Sequence, residues 1–323
     1  MNKPASINRI ESLYRTVLRI RRVEEAIAER YVEQEMRCPV HLSIGQEAVA
    51  AGVCAALTRQ DGVFSGHRAH AHYLAKGGDL TAMLAEIYGK AEGCCKGIGG
   101  SMHMIDLAAG FLGAVPIVGA TVPLAVGAAW AARLRGEDKV IVVFFGDGTF
   151  EEGAVYESIN FAVLHRLPVL FVCENNLYAC YTRLPTRQPD RSIHAVAAAC
   201  GCKAVTADGN DALAVFDAAS SAVADLRAGS HPVFLECSTY RWREHCGPNI
   251  DDDLGYRPQA EVASWTAACP VDRLATMLNA IPGHQNFMAN TDREITEEID
   301  TAFAKALAGG IPQQADLPGY LYA

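Results

Sequence analysis

Apolar and polar positions follow two periods along this chain, and the clearest pattern runs from Lys139 to Tyr178. Lys139 to Phe145 is a β-branched and aromatic run that stops at Gly146-Asp147-Gly148, as a fully buried parallel strand does when it enters a tight turn. From Phe150 to Leu164, Ala154, Val155, Ile159, Ala162 and Val163 recur at helical spacing. Thr149 stands where an N-cap belongs, and Glu151 and Glu152 fall in the first turn, where the helix dipole favours acids. Pro168 to Cys173 is a second buried strand, ending at Glu174-Asn175-Asn176. A right-handed crossover joins these elements into a βαβ unit with parallel strands close together in one sheet.

The same reading extends along the chain. Ile10 to Tyr31 predicts an amphipathic helix with Ile10, Leu13, Val17, Ile20, Val23 and Ile27 on one side and Arg15, Arg19, Arg22 and Glu25 elsewhere. Its arginines would suit a membrane surface, but the interspersed glutamates favour a face turned to the core or to another subunit. Pro232 to Cys237 is a further strand, and Val271 to Ala280 and Thr291 to Ala308 are helical. Ala108 to Ala132 carries no charge for 25 residues, long enough to span a bilayer, but glycines, Pro116 and Pro123 interrupt it. It predicts a buried loop around 113–119 and a buried helix over 121–134, both rich in small residues that permit close approach. The fold class is therefore α/β, a mostly parallel sheet with helices on both faces. One domain is expected over 1–270, with an N-terminal helical arm, and 271–323 as its C-terminal helical extension. The closing Leu317 to Ala323 is apolar and either docks on a partner or is disordered.

Composition narrows the class. A formal charge of -9 without a basic stripe argues against nucleic acid as a partner. The 11 cysteines are odd in number, several lie in apolar runs, and no C-x-x-C pair occurs, so thiols in a reducing compartment fit better than disulfides. With no secretory signal pattern at the start, a cytoplasmic protein without membrane segments is expected.

Candidate chemistry gathers at the strand ends. Asp147 and Asn176 both follow the carboxyl ends of parallel strands, where open α/β sheets bind ligands. A carboxylate, an amide oxygen and a nearby carbonyl suit Mg²⁺, which takes its missing oxygens from phosphates and water. Gly148 and Thr149 offer backbone N–H groups to an anion, so the unit fits a magnesium diphosphate. Gly-Asp-Gly by itself would mean no more than a tight bend.

Phe64 to His72 reads FSGHRAHAH. Its three histidines invite a metal, but Arg68 among them and no carboxylate in reach favour an arginine fixing a diphosphate; a solvated loop without a role is the remaining reading. Gly97 to Met104, GIGGSMHM, resembles a phosphate loop but lacks the Walker lysine and the dinucleotide spacing. Tyr240 to Arg257 is a long polar loop after a strand, and its His245 is either a proton-transfer group or a surface histidine.

Taken in order, HLSIGQEA (41–48), the HRAH loop, GGSMHM, IVGATVPLAVGAA (117–129), GDG to ENN with Asp147 and Asn176 29 residues apart, and YRW-x-x-H to YR resemble one family. It is the alpha subunit of the thiamin-diphosphate-dependent 2-oxo-acid dehydrogenase decarboxylase component, including its acetoin branch. The resemblance covers about 10–257. It implies a thiamin diphosphate-binding fold in which Asp147, Asn176 and the Tyr178 carbonyl hold Mg²⁺. His67, Arg68, Gly146, Gly148, Thr149 and Asn176 would bind the diphosphate, and backbone near Pro116 and Val118 would face the aminopyrimidine. His245 would stand over the thiazolium and assist proton movements, with His70 a second catalytic candidate.

The family's pyrimidine-side glutamate comes from a beta subunit. The resemblance therefore implies an interfacial site in a heterotetramer of two alpha and two beta subunits, cleavage of a 2-oxo acid or acyloin next to its carbonyl, and transfer to an acceptor, possibly on a lipoyl acyltransferase. A transketolase-type half subunit and a non-catalytic cofactor-binding partner are the alternatives. The chain departs from the family at Glu244 before His245, at Cys246 in place of the serine phosphorylated in mitochondrial members, at Pro116, and in a longer loop with the acidic run Asp251 to Asp253. These changes bear on substrate more than on cofactor.

Overall fold

The computed structural model describes residues 3–316 and 318–321. Its first half comprises α1 (Lys3–Arg30), α2 (Glu47–Ala55), β1 (Gly62–Ser65), α3 (His70–Lys76), α4 (Leu80–Ile87), β2 (Phe111–Ala114), α5 (Thr121–Leu134), β3 (Ile141–Gly146), α6 (Gly153–Leu164) and β4 (Val169–Asn175). There follow a small hairpin, β5 (Tyr178–Ala179) and β6 (Thr182–Arg183), and then α7 (Leu184–Arg187), α8 (Ile193–Ala199), β7 (Lys203–Asp208), α9 (Ala212–Arg227) and β8 (Val233–Ser238). Helices α10 (Gln259–Ala267), α11 (Pro270–Asn279), α12 (His284–Ala308) and α13 (Pro318–Leu321) close the chain. Leu317, Tyr322 and Ala323, part of the apolar tail, lie outside the described residues.

Six strands form one sheet in the order β2-β1-β3-β4-β8-β7, and every neighbouring pair is parallel. Alternation along the strands divides the apolar residues between two cores. Val142, Phe144, Leu170 and Val172 face a layer built from α1, α2, α3, α4, α9, α11 and α12. Ile141, Val143, Phe145, Val169, Phe171 and Cys173 face α5, α6 and α8. Helices thus cover both faces, and strands buried on both sides need the unbroken apolar runs the sequence shows. The chain moves outward from β1 to β2, then returns to the other side of β1 with β3. That reversal opens a crevice at the carboxyl ends of β1 and β3.

The N-terminal helix turns its apolar side into the core, with Leu13, Val17, Ile20, Val23 and Ile27 buried. Its opposite side meets α12 through Arg15–Glu294, Arg19–Glu298 and Arg22–Asp292 ion pairs. The segment before α5 departs from the buried loop expected: Ile117 and Val118 are 70% and 46% exposed. On α5 itself, Val122, Ala125, Val126 and Ala129 pack on the sheet, while Leu124, Trp130 and Leu134 face outward. The apolar run is continuous because this chain covers only one of its sides. None of the described helices is long and apolar enough to cross a membrane.

Thr149 does not cap α6. It lies in a 3₁₀ turn over Asp147–Glu151, and the helix starts at Gly153 after Glu152, which makes no side-chain cap bond. The glycine-rich stretch after α4 is organised by Glu86, a fully buried carboxylate. It accepts from the backbone N–H groups of Cys95, Gly97, Gly99 and Gly100 at 2.7 to 3.0 Å. The loop cradles a side chain of its own protein. Glu86→Ala strands those four donors and should cost roughly 2–4 kcal/mol in urea unfolding; a loss under about 0.5 kcal/mol would show that water replaces the carboxylate without penalty.

Candidate active site

A cleft of about 520 Å³ opens at the carboxyl ends of β1, β3 and β4, within the range of small-molecule sites. Its walls include His67, Arg68, Pro116, Val118, Gly146, Asp147, Gly148, Thr149, Asn176, Tyr178 and His245. These residues come from five separated stretches of sequence. His70 is the exception. It is fully buried in the layer beneath, with Nδ1 3.0 Å from Glu24 and Nε2 2.7 Å from the Ser101 hydroxyl. Both ring nitrogens are engaged, so His70 ties α1 to the glycine-rich loop and does not reach the cleft. The histidine stretch also has the carboxylates the sequence seemed to lack, since His72 Nε2 lies 3.3 Å from Glu174.

The floor follows from strand register. Gly146 of β3 pairs with Glu174 of β4, so the next turns deliver Asp147 and Asn176 to neighbouring positions. Asp147 is 1% exposed and touches the Arg187 guanidinium, which also contacts Glu151. Burial pushes the Asp147 carboxyl above the usual carboxylate range, and Arg187 opposes that shift. Asn176 Oδ1 accepts from the Tyr178 N–H at 3.2 Å, and its Nδ2 donates to Gln46 Oε1 at 3.2 Å. Buried oxygens on two adjacent strand ends are a donor set suited to a hard divalent cation.

The facing wall is cationic or neutral. Arg68 is buried, donating to the Leu42 carbonyl at 2.5 Å and to the His245 carbonyl at 3.3 Å. Burial, then the nearby Arg241, draws it down to about 10, still protonated at neutral pH. Beside it stand His41, His67 and His245, with ring centroids 4.7 to 5.2 Å apart and ring nitrogens within 4.8 Å of one another. Burial lowers them to about 2, 4 and 3, with Arg68 adding to each shift. The Arg68 guanidinium repels a cation, and the neutral imidazoles beside it can donate N–H groups to an anion. His41 Nδ1 is buried without a hydrogen-bond partner among the described residues, as a group shaped for a ligand is. The residues therefore fit a metal-bound diphosphate: oxygen ligands on one side, cationic and N–H donors on the other.

The loop after β8 reaches this wall because it is zipped onto the segment before α2. Gly247 N–H donates to the Val40 carbonyl at 2.8 Å and Trp242 N–H to the Ile44 carbonyl at 3.0 Å. Gly45, at φ 99°, must be glycine, since a Cβ there would lie 2.4 Å from the Tyr240 carbonyl. Asp251, first of the acidic run, is buried against Arg257 and 3.8 Å from Arg241, and so fastens the base of the loop. Sequence reasoning gave no role to His41, Gln46, Ser65, Glu174 or Arg187. The motif HLSIGQEA contained the first two, but nothing in its local pattern shows that it folds across the ends of distant strands.

Residues 15–314 match the family model described as "Dehydrogenase E1 component". The chain belongs to the dehydrogenase E1 component family. It is 39% identical over 95% of its length to the alpha subunit of acetoin:2,6-dichlorophenolindophenol oxidoreductase of Bacillus subtilis, covering 89% of that protein. Against the pyruvate dehydrogenase E1 component subunit alpha of Zymomonas mobilis the identity is 38% over 94% of the chain and 86% of the relative. The acetoin:2,6-dichlorophenolindophenol oxidoreductase alpha subunit of Cupriavidus necator is 37% identical over 95% and 92%.

The imidazoles give the fold a pH dependence. Their folded values lie below the ordinary 6.5, so unfolding takes up protons and their contribution, complete above about pH 6.5, is lost as pH falls toward 4. The urea midpoint should drop between pH 7 and 5, and His41→Asn or His67→Asn should flatten that decline. Identical pH slopes in wild type and variants would contradict it.

Proposed function

We propose that this chain is the alpha subunit of a thiamin-diphosphate-dependent dehydrogenase that cleaves the C–C bond next to a carbonyl, in a 2-oxo acid or an acyloin, and passes the acyl fragment on, to a lipoyl group. The observation that carries this reading is the convergence of Asp147 and Asn176 on one cleft opposite Arg68, His67 and His245. Alpha subunits of pyruvate dehydrogenase and of acetoin:2,6-dichlorophenolindophenol oxidoreductase, similar over nearly the whole chain, support the substrate classes. Nothing in these similarities favours a transketolase half subunit.

Asp147, Asn176 and the Tyr178 carbonyl would hold Mg²⁺. His67, Arg68 and the backbone of Gly146, Gly148 and Thr149 would hold the diphosphate, and Pro116 and Val118 would line the pyrimidine side. The chemistry that thiamin diphosphate supplies when bound is stabilisation of the negative charge left on a carbonyl carbon by C–C cleavage. His245, neutral at pH 7, would donate or accept a hydrogen bond at its imidazole near the reacting carbonyl, rather than act as an imidazolium acid. No carboxylate for the pyrimidine is assigned on this chain; it would come from a beta subunit, in a heterotetramer of two alpha and two beta subunits. The outward apolar side of α5, with Leu124, Trp130 and Leu134, supports such a partner.

Two measurements test the reading. Asp147→Ala should weaken Mg²⁺-dependent thiamin diphosphate binding at least 100-fold by calorimetry on the chain with its partner subunit; unchanged affinity would remove the metal assignment. The chain alone should show no turnover with pyruvate or acetoin and a dye acceptor, and should gain it on addition of the beta subunit. Full turnover by the isolated chain would refute the interfacial site.

A further inference from the structure

The amide of Asn176 has two chemically different ends, and only the oxygen can bind a hard cation. Its sense is fixed by two hydrogen bonds. Tyr178 N–H points at one end, which must therefore be Oδ1, and Gln46 Oε1 lies at the other, which must be Nδ2. Turned over, the amide would set N–H against N–H and oxygen against oxygen. Oδ1 keeps a second lone pair, and no other donor among the described residues reaches it.

Gln46 is itself held hard. It is 1% exposed, at the residue just before α2, and its backbone N–H donates to the Ser43 carbonyl at 2.8 Å. The turn around it is pinned by buried charges. Glu24 of α1 accepts from Ser43 N–H at 3.0 Å. Glu47 accepts from Gly45 N–H at 3.0 Å and pairs with Arg21 of α1 at 2.6 Å. The backbone from which the Gln46 side chain reaches Asn176 is therefore held in place.

We infer that Gln46 is a positioning residue for the divalent ion: by accepting the Nδ2–H of Asn176 it keeps Oδ1 on the metal side of the cleft. This rests on the Mg²⁺ and diphosphate reading above. Groups that orient ligands from behind are worth roughly 10- to 100-fold in metal affinity. Gln46→Met keeps the length and bulk of the side chain and removes the oxygen. Gln46→Glu keeps an oxygen in place.

The test is calorimetric titration of the alpha subunit with its partner, using thiamin diphosphate at fixed Mg²⁺, with Mn²⁺ bound in place of Mg²⁺ followed by electron paramagnetic resonance. Gln46→Met should weaken cofactor and Mn²⁺ binding by about 10- to 100-fold, and Gln46→Glu should stay closer to wild type. Equal losses in the two variants would mean that the oxygen of Gln46 is not what positions Asn176, and no loss in Gln46→Met would mean that Gln46 only fills space; either result overturns the inference. If Gln46→Met does not fold, Gln46→Asn, which draws the oxygen back by one methylene, carries the test with the same expected direction. Asp147→Ala separates the two levels. If it too binds like wild type, the metal reading itself fails; if it loses binding while the Gln46 variants do not, only this inference falls.

Discussion

The pairing of β3 with β4 is the constraint on which the rest of the molecule depends. With Gly146 opposite Glu174 in a parallel ladder, two side chains 29 residues apart in sequence arrive side by side at one edge of the sheet. A slip of one residue would turn Phe145 and Cys173 out of their core and move Asp147 off the cleft. The register is held by burial on both faces, since Ile141 to Phe145 and Val169 to Cys173 are all buried. A carboxylate placed at that edge is expensive to keep charged. Arg187 supplies one counter-charge in the structure, and a divalent ion would supply a stronger one.

The opposite wall is assembled from loops, and its rigidity comes from buried charge rather than from strands. Arg21 and Glu24 on α1 hold the turn before α2. That turn pins the loop carrying His245, and Asp251 with Arg257 fastens the loop at its far end. Each of these groups would be costly to bury alone and is paired with an opposite charge or a backbone donor. The result is a preformed concave surface with one side apolar and uncovered, where α5 turns Leu124, Trp130 and Leu134 outward.

Much of this was legible in the sequence, for a physical reason. Buried parallel strands advertise themselves as unbroken apolar runs, and residues just after them must fall at the carboxyl edge of the sheet; the positions of Asp147 and Asn176 follow from that rule alone. Thr149 misled because a 3₁₀ turn intervenes between strand and helix, and capping patterns do not count that extra turn. His70 misled because spacing within a loop does not say which side of α3 faces the cleft. The loop at Ile117 and Val118 was expected to be buried because apolarity reports the need for cover and not which chain provides it. Gln46 and His41 were invisible because their partners lie more than 100 residues away, at Asn176 and His245.

The most direct measurement of the central claim is anomalous diffraction from crystals of the alpha subunit with its partner, grown with thiamin diphosphate and Mn²⁺ in place of Mg²⁺. A single strong peak between the Asp147 carboxylate and Asn176 Oδ1, with phosphate oxygens completing its shell, is the expected result. A peak elsewhere, or none there while the cofactor is bound, would contradict the convergence of these two residues on one ion.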